Sequence, residues 1–269
     1  MSVQKEHKMQ EIENNSSSDI NVAQPNIREI LRNRVRQLIE RGQTNAATLL
    51  LPSLRRHGED FGMIVVLEAM ILNSRGDRGR AKQIVADALI KHPGHPLLLR
   101  MTAEMSLDEH DWVEAAKASA EAIVSNPRDA TSKSMLGRAL LELGQEDEGN
   151  ICLREALVDM PDNLQILCAL ARSAPGEAEV ATKAALDRFK SRADGDQAQR
   201  LELTHVLISS FLARGAFEEA SSLISDLAVD GIANLDTCLL AVQTATNTGN
   251  WEEATTLFNT ATRSLPRHV

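Results

Sequence analysis

Three arginines are the residues whose type and spacing most directly suggest a binding chemistry. The interval from Arg36 to Arg138 is three times the interval from Arg138 to Arg172. A guanidinium group can bind a carboxylate through two parallel hydrogen bonds, so a row of these side chains suits acidic groups of a peptide. The same arginines could instead pair with acidic residues of the chain itself, such as Glu104 and Glu142. The sequence leaves both interpretations open.

No group of residues indicates catalysis or metal binding. His92 and His95 belong to a His-Pro-Gly-His segment and His110 follows it, but no cysteine or acidic residue completes a zinc-like set of three or four ligands. No glycine-rich phosphate loop follows a strand pattern, and no nucleophile has an evident activating base beside it. We therefore expect a protein that is not an enzyme and that has no metal and no cofactor.

Charge and composition restrict the partners and the compartment. The net charge of −9 argues against nucleic acid, which requires clustered Lys and Arg. No segment is long and apolar enough to insert into a membrane, and the first residues lack the apolar core of a secretory signal. The three cysteines are widely spaced, which is typical of reduced thiols. These features favour a cytoplasmic location.

A fixed interval of about 34 residues, the repeat interval, organises most of the chain. Gly42, Gly76 and Gly144 follow this spacing, and His110 occupies the missing place. Three prolines at 93, 127 and 161 are separated by the same interval. Apolar residues with helical spacing lie on both sides of each glycine, so each repeat contains a helix A, a turn and a helix B. Such a pair cannot bury its apolar face alone, and successive pairs must stack.

The repeats predict an all-α solenoid of about seven antiparallel helix pairs. We expect residues 1–26 to form a disordered tail, because this segment is polar and contains the sequence NNSSSD. Residues 27–269 then form the solenoid. Its repeats are predicted at 28–61, 62–95, 96–129, 130–163, 164–200, 201–234 and 235–268.

Small residues and a recurrent turn sequence carry a family resemblance. Ala69, Ala81 and Ala88 precede Pro93, and each has a counterpart one repeat interval later. The segment 215–220 reads GAFEEA and the segment 249–254 reads GNWEEA. In both features the chain resembles the tetratricopeptide-repeat family. The resemblance implies a right-handed superhelix whose A helices line a concave face, and it implies protein or peptide partners bound on that face.

The resemblance also selects candidate binding residues. Side chains of the A helices that should point into the concave groove are Arg32, Arg36, Met70, Arg100, Arg138 and Arg172. If the arginines bind the partner, the partner carries acidic segments. Two tryptophans, Trp112 and Trp251, begin B helices and are expected to fill the crossing between helices A and B rather than to contact a ligand.

The last repeat predicts a second interface. Its B helix has an apolar face and no polar capping helix follows it, although the ends of solenoids usually need one. We expect this face to pack on a partner or on a second copy of the chain. The residues concerned are Leu257, Phe258, Ala261 and Leu265.

Taken together, these features favour a non-catalytic scaffold or adaptor that binds proteins. Two alternatives stay open at this level. One is a chaperone that holds a single client, such as a secreted protein. The other is a regulatory or targeting subunit of an enzyme such as a glycosyltransferase or methyltransferase, in which case another chain supplies the catalysis.

Overall fold

The structure, a computed structural model, is all-α over the part of the chain that it describes. It describes residues 26–190 and 197–264, with side chains given to residue 259 in the last helix. The predicted tail therefore lies outside the described residues, apart from Asn26, and so do residues 191–196 and 265–269. The helices are α1 Ile27–Glu40, α2 Thr44–Arg56, α3 Phe61–Ser74, α4 Arg78–Lys91, α5 Pro96–Asp108, α6 Trp112–Ser125, α7 Ala130–Glu142, α8 Glu146–Asp159, α9 Leu164–Ser173, α10 Pro175–Lys190, α11 Gln197–Arg214, α12 Phe217–Val229, α13 Leu235–Asn247 and α14 Trp251–Ser264.

These helices belong to two compact units. The first unit ends at Pro93 and contains α1 to α4; the second begins at Gly94 and contains α5 to α14. Within each unit every helix packs against the next one along the chain. Each odd-numbered helix is the A helix of a pair and each even-numbered helix is its B helix. The predicted all-α fold of stacked helix pairs is confirmed.

The turns between A and B helices share one backbone conformation. The residues at the predicted turn positions have φ between +60° and +83°, and His110 adopts this left-handed conformation as the glycines do. The next residue donates its backbone N–H to a carbonyl in the last turn of helix A, as Asp77 does to Leu72 at 2.9 Å and Asp111 to Ser106 at 2.9 Å. This closure caps the helix C-terminus and turns the chain back. The residues spaced by the repeat interval therefore lie at the turns between helices A and B, as predicted.

Contacts between alternate helices identify the inner wall of the second unit. Helices α5, α7, α9 and α11 each contact the next odd-numbered helix, whereas no two B helices in the described part of that unit bring their Cα atoms within 8 Å of each other. Stacked pairs whose A helices are closer together than their B helices must curve with the A helices inside. The A helices therefore line the concave side of this unit.

Small residues allow the helices to cross closely. Ala103 and Ala115 are completely buried between α5 and α6, and Ala69 and Ala81 are completely buried between α3 and α4. A larger side chain would force the two backbones apart. The repeated alanines of the sequence therefore lie at closely packed helix crossings.

The two tryptophans differ in environment. Trp112 is half-buried, packs on an apolar cluster that includes Leu107 and Met135, and makes an edge contact with the ring of His110 at 4.9 Å. Trp251 is 66% exposed at the start of α14. The expectation that both fill a crossing is therefore wrong for Trp251, because most of its surface is open to the solvent.

Candidate binding groove

A groove of about 750 Å³ opens on the inner wall of the second unit, across α9, α11 and α13. We call it the A-helix groove. Its apolar surface comes from Leu164, Ala171, Val206, Leu212, Ala213, Leu239 and Leu240. Its polar lining comes from Cys168, Arg172, Glu202, His205, Ser209, Asp236 and Gln243. Leu239 is 48% exposed, so the groove presents apolar surface to the solvent.

The repeat places equivalent residues of α11 and α13 side by side along the groove. Glu202 and Asp236 lie one repeat interval apart. The same is true of the pairs His205 and Leu239, and Ser209 and Gln243. One carboxylate therefore lies in the second turn of α11 and the other in the first turn of α13. The groove is a repeated surface in which the same position can carry a different side chain in each repeat.

His205 connects two successive repeats at the floor of the groove. Its Nε2 lies 2.8 Å from the hydroxyl of Thr237, which lies in the first turn of α13. That hydroxyl donates to Oδ1 of Asn234 at 3.0 Å and accepts from the backbone N–H of Asn234. Nε2 of His205 and the hydroxyl of Thr237 thus share one hydrogen bond, and which of the two donates depends on the ring tautomer. Burial lowers the pKa of His205, although Asp236 and Glu202 act in the opposite direction.

The charges of the groove are unevenly neutralised. Among the described residues Arg172 is the only lysine or arginine in the lining, and its Nη1 donates to Oε1 of Glu142 at 2.9 Å. Glu202 and Asp236 are exposed, and neither forms an ion pair with any residue that the structure describes. Two carboxylates therefore face the groove without a cationic partner from the described chain.

Most of the arginines predicted to bind a partner are paired within the chain. Arg32 donates to both carboxylate oxygens of Glu59, from Nε at 3.1 Å and from Nη2 at 3.0 Å. Nη1 of Arg100 lies 3.6 Å from Oδ2 of Asp129. With Arg172 bound to Glu142, three of the five arginines follow the second interpretation of the sequence.

Arg138 lies beside the groove rather than in its lining. Its Nη1 donates to Oε1 of Gln165 at 2.8 Å. Burial lowers the pKa of Arg138, and Arg172 lowers it further, while the nearby Asp108 and Glu142 raise it. Arg138 thus joins a mixed cluster of charges on α5, α7 and α9 that is largely balanced.

The other candidate residues are placed as follows. Arg36 and Met70 are half-buried on α1 and α3 of the first unit. In the predicted C-terminal interface Leu257 is half-buried and Phe258 is 51% exposed. The side chain of Ala261 and the whole of Leu265 lie outside the described residues.

The thiol of Cys168 shows no sign of a nucleophile. Desolvation raises the pKa of Cys168 above that of a free thiol, so the neutral thiol predominates at neutral pH. Across residues 26–190 and 197–264, no three His, Cys, Asp or Glu side chains are grouped as metal ligands. In the same part of the chain no helix combines the length and the apolar character needed to span a bilayer.

Sequence reasoning missed most of the groove. It selected Arg172 but not Glu202, His205 or Asp236, because it looked for one residue type repeated along the A helices. The signal was nevertheless present: Glu202 and Asp236 are both acidic and lie one repeat interval apart.

No model of a known protein family matches the chain, and no curated protein resembles it significantly in sequence. Solved structures do resemble it. A tetratricopeptide-repeat protein from Parabacteroides merdae is 13% identical with a TM-score of 0.61, covering 90% of this chain and 94% of its own. PilW, a type IV pilus biogenesis factor, is 19% identical with a TM-score of 0.62, covering 78% of this chain and 96% of its own. A chain of the Cut9–Hcn1 hetero-tetramer of the APC/C is 13% identical with a TM-score of 0.57; the match covers 86% of this chain and 48% of that one.

At these identities the comparisons establish the fold. They agree with the repeat interval, the shared turn conformation and the inner wall of A helices. The chain therefore has the tetratricopeptide-repeat fold, as the resemblance in its sequence predicts.

Proposed function

We propose that the protein is a non-catalytic scaffold that binds a segment of a partner protein in the A-helix groove. One observation carries this proposal: a concave groove of about 750 Å³ crosses three successive A helices and exposes apolar side chains. Exposed apolar surface in a concavity is typical of binding sites.

The lining suits a peptide segment better than a reactive substrate. Aliphatic side chains form most of the wall, and a few polar groups at fixed positions can orient the bound segment. Nε2 of His205 contacts the hydroxyl of Thr237, and the pKa of Cys168 is raised, so the two side chains are not arranged as a base–nucleophile pair. The solved Cut9–Hcn1 assembly supports protein binding as a use of this fold.

One part of the sequence-based prediction changes in this proposal, and two parts are kept. An acidic partner segment is not supported, because Arg32, Arg100 and Arg172 are engaged by carboxylates of the chain. Self-association through the last repeat stays a prediction. The cytoplasmic location is part of the proposal, and the three free cysteines favour a reducing compartment.

The test compares one groove variant with one matched surface variant. Leu239→Asp places a charge on the apolar wall of the groove, whereas Val180→Asp places the same charge on α10, where Val180 is 70% exposed and lines no part of the groove. Each protein is immobilised and exposed to an extract of the source cells, and the bound proteins are quantified by mass spectrometry. We expect Leu239→Asp to lose the proteins that the unmodified chain and Val180→Asp retain.

Circular dichroism must show equal helicity for the two variants. Equal recovery of the same proteins by both variants would place the binding surface elsewhere. A defined folded enzyme among the captured proteins would favour a targeting subunit, and a single aggregation-prone protein would favour a chaperone.

A further inference from the structure

The A-helix groove combines an apolar wall with an excess of negative charge. Of its described lining residues, only Arg172 carries a fixed positive charge, and Glu142 neutralises it at 2.9 Å. Glu202 and Asp236 remain without a cationic partner among the described residues. His205 lies on α11 between them, and its burial favours the neutral ring at neutral pH. The lining therefore carries two uncompensated carboxylates.

The two carboxylates lie on the same helices as much of the apolar wall. Asp236 lies in the first turn of α13, and Glu202 occupies the equivalent place one repeat earlier on α11. The neighbouring apolar side chains Val206, Leu239 and Leu240 belong to the same helices. Apolar and acidic groups thus lie side by side on one face within a single site.

We infer that the segment bound in this groove is a basic amphipathic peptide of a partner protein, with apolar side chains against the wall and lysines or arginines against Glu202 and Asp236. This inference rests on the proposed function and specifies the chemistry of its partner. An acidic segment would face two unpaired carboxylates, and placing like charges together at an interface opposes binding. A purely apolar segment would leave both carboxylates partly desolvated without a partner.

Two short synthetic peptides test the charge preference. Both carry the same leucines on one helical face; one carries lysines on the other face and the second carries glutamates. Binding to the full chain is measured by fluorescence anisotropy at neutral pH. The lysine peptide should bind and the glutamate peptide should not, and binding of the lysine peptide should weaken as salt is added.

A pair of double variants separates the groove from the general acidity of the protein. Glu202→Gln with Asp236→Asn removes both groove carboxylates. Glu218→Gln with Glu219→Gln removes two exposed carboxylates from the first turn of α12, outside the groove lining. We expect the first double variant to weaken lysine-peptide binding about three- to tenfold, and the second to change it less than about twofold.

Three results would overturn the inference: equal weakening by both double variants, tighter binding of the glutamate peptide, or no binding of either peptide. None of these results bears on whether the groove captures a partner, which the comparison of Leu239→Asp with Val180→Asp decides. The two claims can therefore fail separately.

Discussion

Gly137 on α7 and Gly149 on α8 face each other at a crossing with no room for a side chain. A Cβ atom on Gly137 would lie 2.8 Å from the carbonyl oxygen of Gly149, and a Cβ atom on Gly149 would lie 2.9 Å from that of Gly137. Other repeats place buried alanines near the corresponding helix crossings. This pair of helices therefore approaches more closely than a crossing of alanines would allow.

Gly137→Ala should destabilise the protein. Replacing a helical glycine by alanine usually stabilises by about 0.5–1 kcal/mol, because the unfolded chain loses conformational freedom. Here the added methyl group overlaps a backbone oxygen and the side chain of Leu153, so we expect a net loss of about 1–3 kcal/mol. Chemical denaturation followed by circular dichroism measures the difference.

The control for this substitution is Gly176→Ala on α10, where an added Cβ atom meets nothing within 4 Å. This variant should be as stable as the unmodified protein or slightly more so. If Gly137→Ala and Gly176→Ala changed the stability equally, α7 and α8 would not cross as closely as described here.

His110→Gly should be more stable than His110→Ala by about 1 kcal/mol, because a φ of +60° costs any residue with a Cβ atom and costs glycine little. Both substitutions remove the ring contact with Trp112, so their difference isolates the backbone effect. Thermal unfolding of the two variants gives the comparison. Equal stability would mean that the third turn differs from the others in solution.

His205 should make stability depend on pH. Burial lowers its pKa, with Asp236 and Glu202 opposing the shift and Arg172 also lining the groove from α9. Below the ordinary value of about 6.5 the unfolded chain binds a proton more readily than the folded chain. The contribution of the neutral His205 ring to the free energy of unfolding is therefore complete above about pH 6.5. It is lost as the pH falls through the lowered pKa of the folded state.

His205→Gln removes this titration and keeps a side-chain N–H for Thr237. Between pH 7.5 and 5.5 the Tm of the unmodified protein should fall more than that of His205→Gln. A parallel substitution of the exposed His57, which lies outside the groove, serves as the control. If the Tm of all three proteins depended on pH in the same way, His205 would not be the source of the pH dependence.

The two tryptophans should report different environments. Trp112 is half-buried and Trp251 is 66% exposed, and the chain has no tyrosine to interfere. Trp251→Phe, which retains Trp112, should emit at shorter wavelength and be quenched less by acrylamide than Trp112→Phe. Trp112→Phe should also lower the Tm more, because Trp112 packs on a buried cluster. Equal quenching would show that α14 is covered in solution.

Local features of the fold were predictable from the sequence because they depend on few neighbouring residues. A turn that needs positive φ selects glycine, so Gly76 and Gly144 marked their turns, and the interval between them identified His110 as a third. A close crossing selects alanine, so Ala81 and Ala115 marked packed positions.

The charge and the hydrogen bonds of the groove could not be predicted from the sequence, because they depend on pairs of side chains from different helices. Arg172 could have faced a ligand, and only the placement of Glu142 on the adjacent A helix shows that it is neutralised. The contact of His205 with Thr237 joins side chains of two successive A helices, and no periodic pattern indicates it.

The sequence by itself determined the repeat length, the turns, the small crossing positions and hence the stacked helix pairs, because each follows from backbone geometry and nearest-neighbour packing. Tertiary structure alone decided which charges cancel and which remain. Ion pairing depends on side-chain distances across helices, so only the folded chain shows that Arg172 is satisfied while Glu202 and Asp236 have no cationic partner among the described residues.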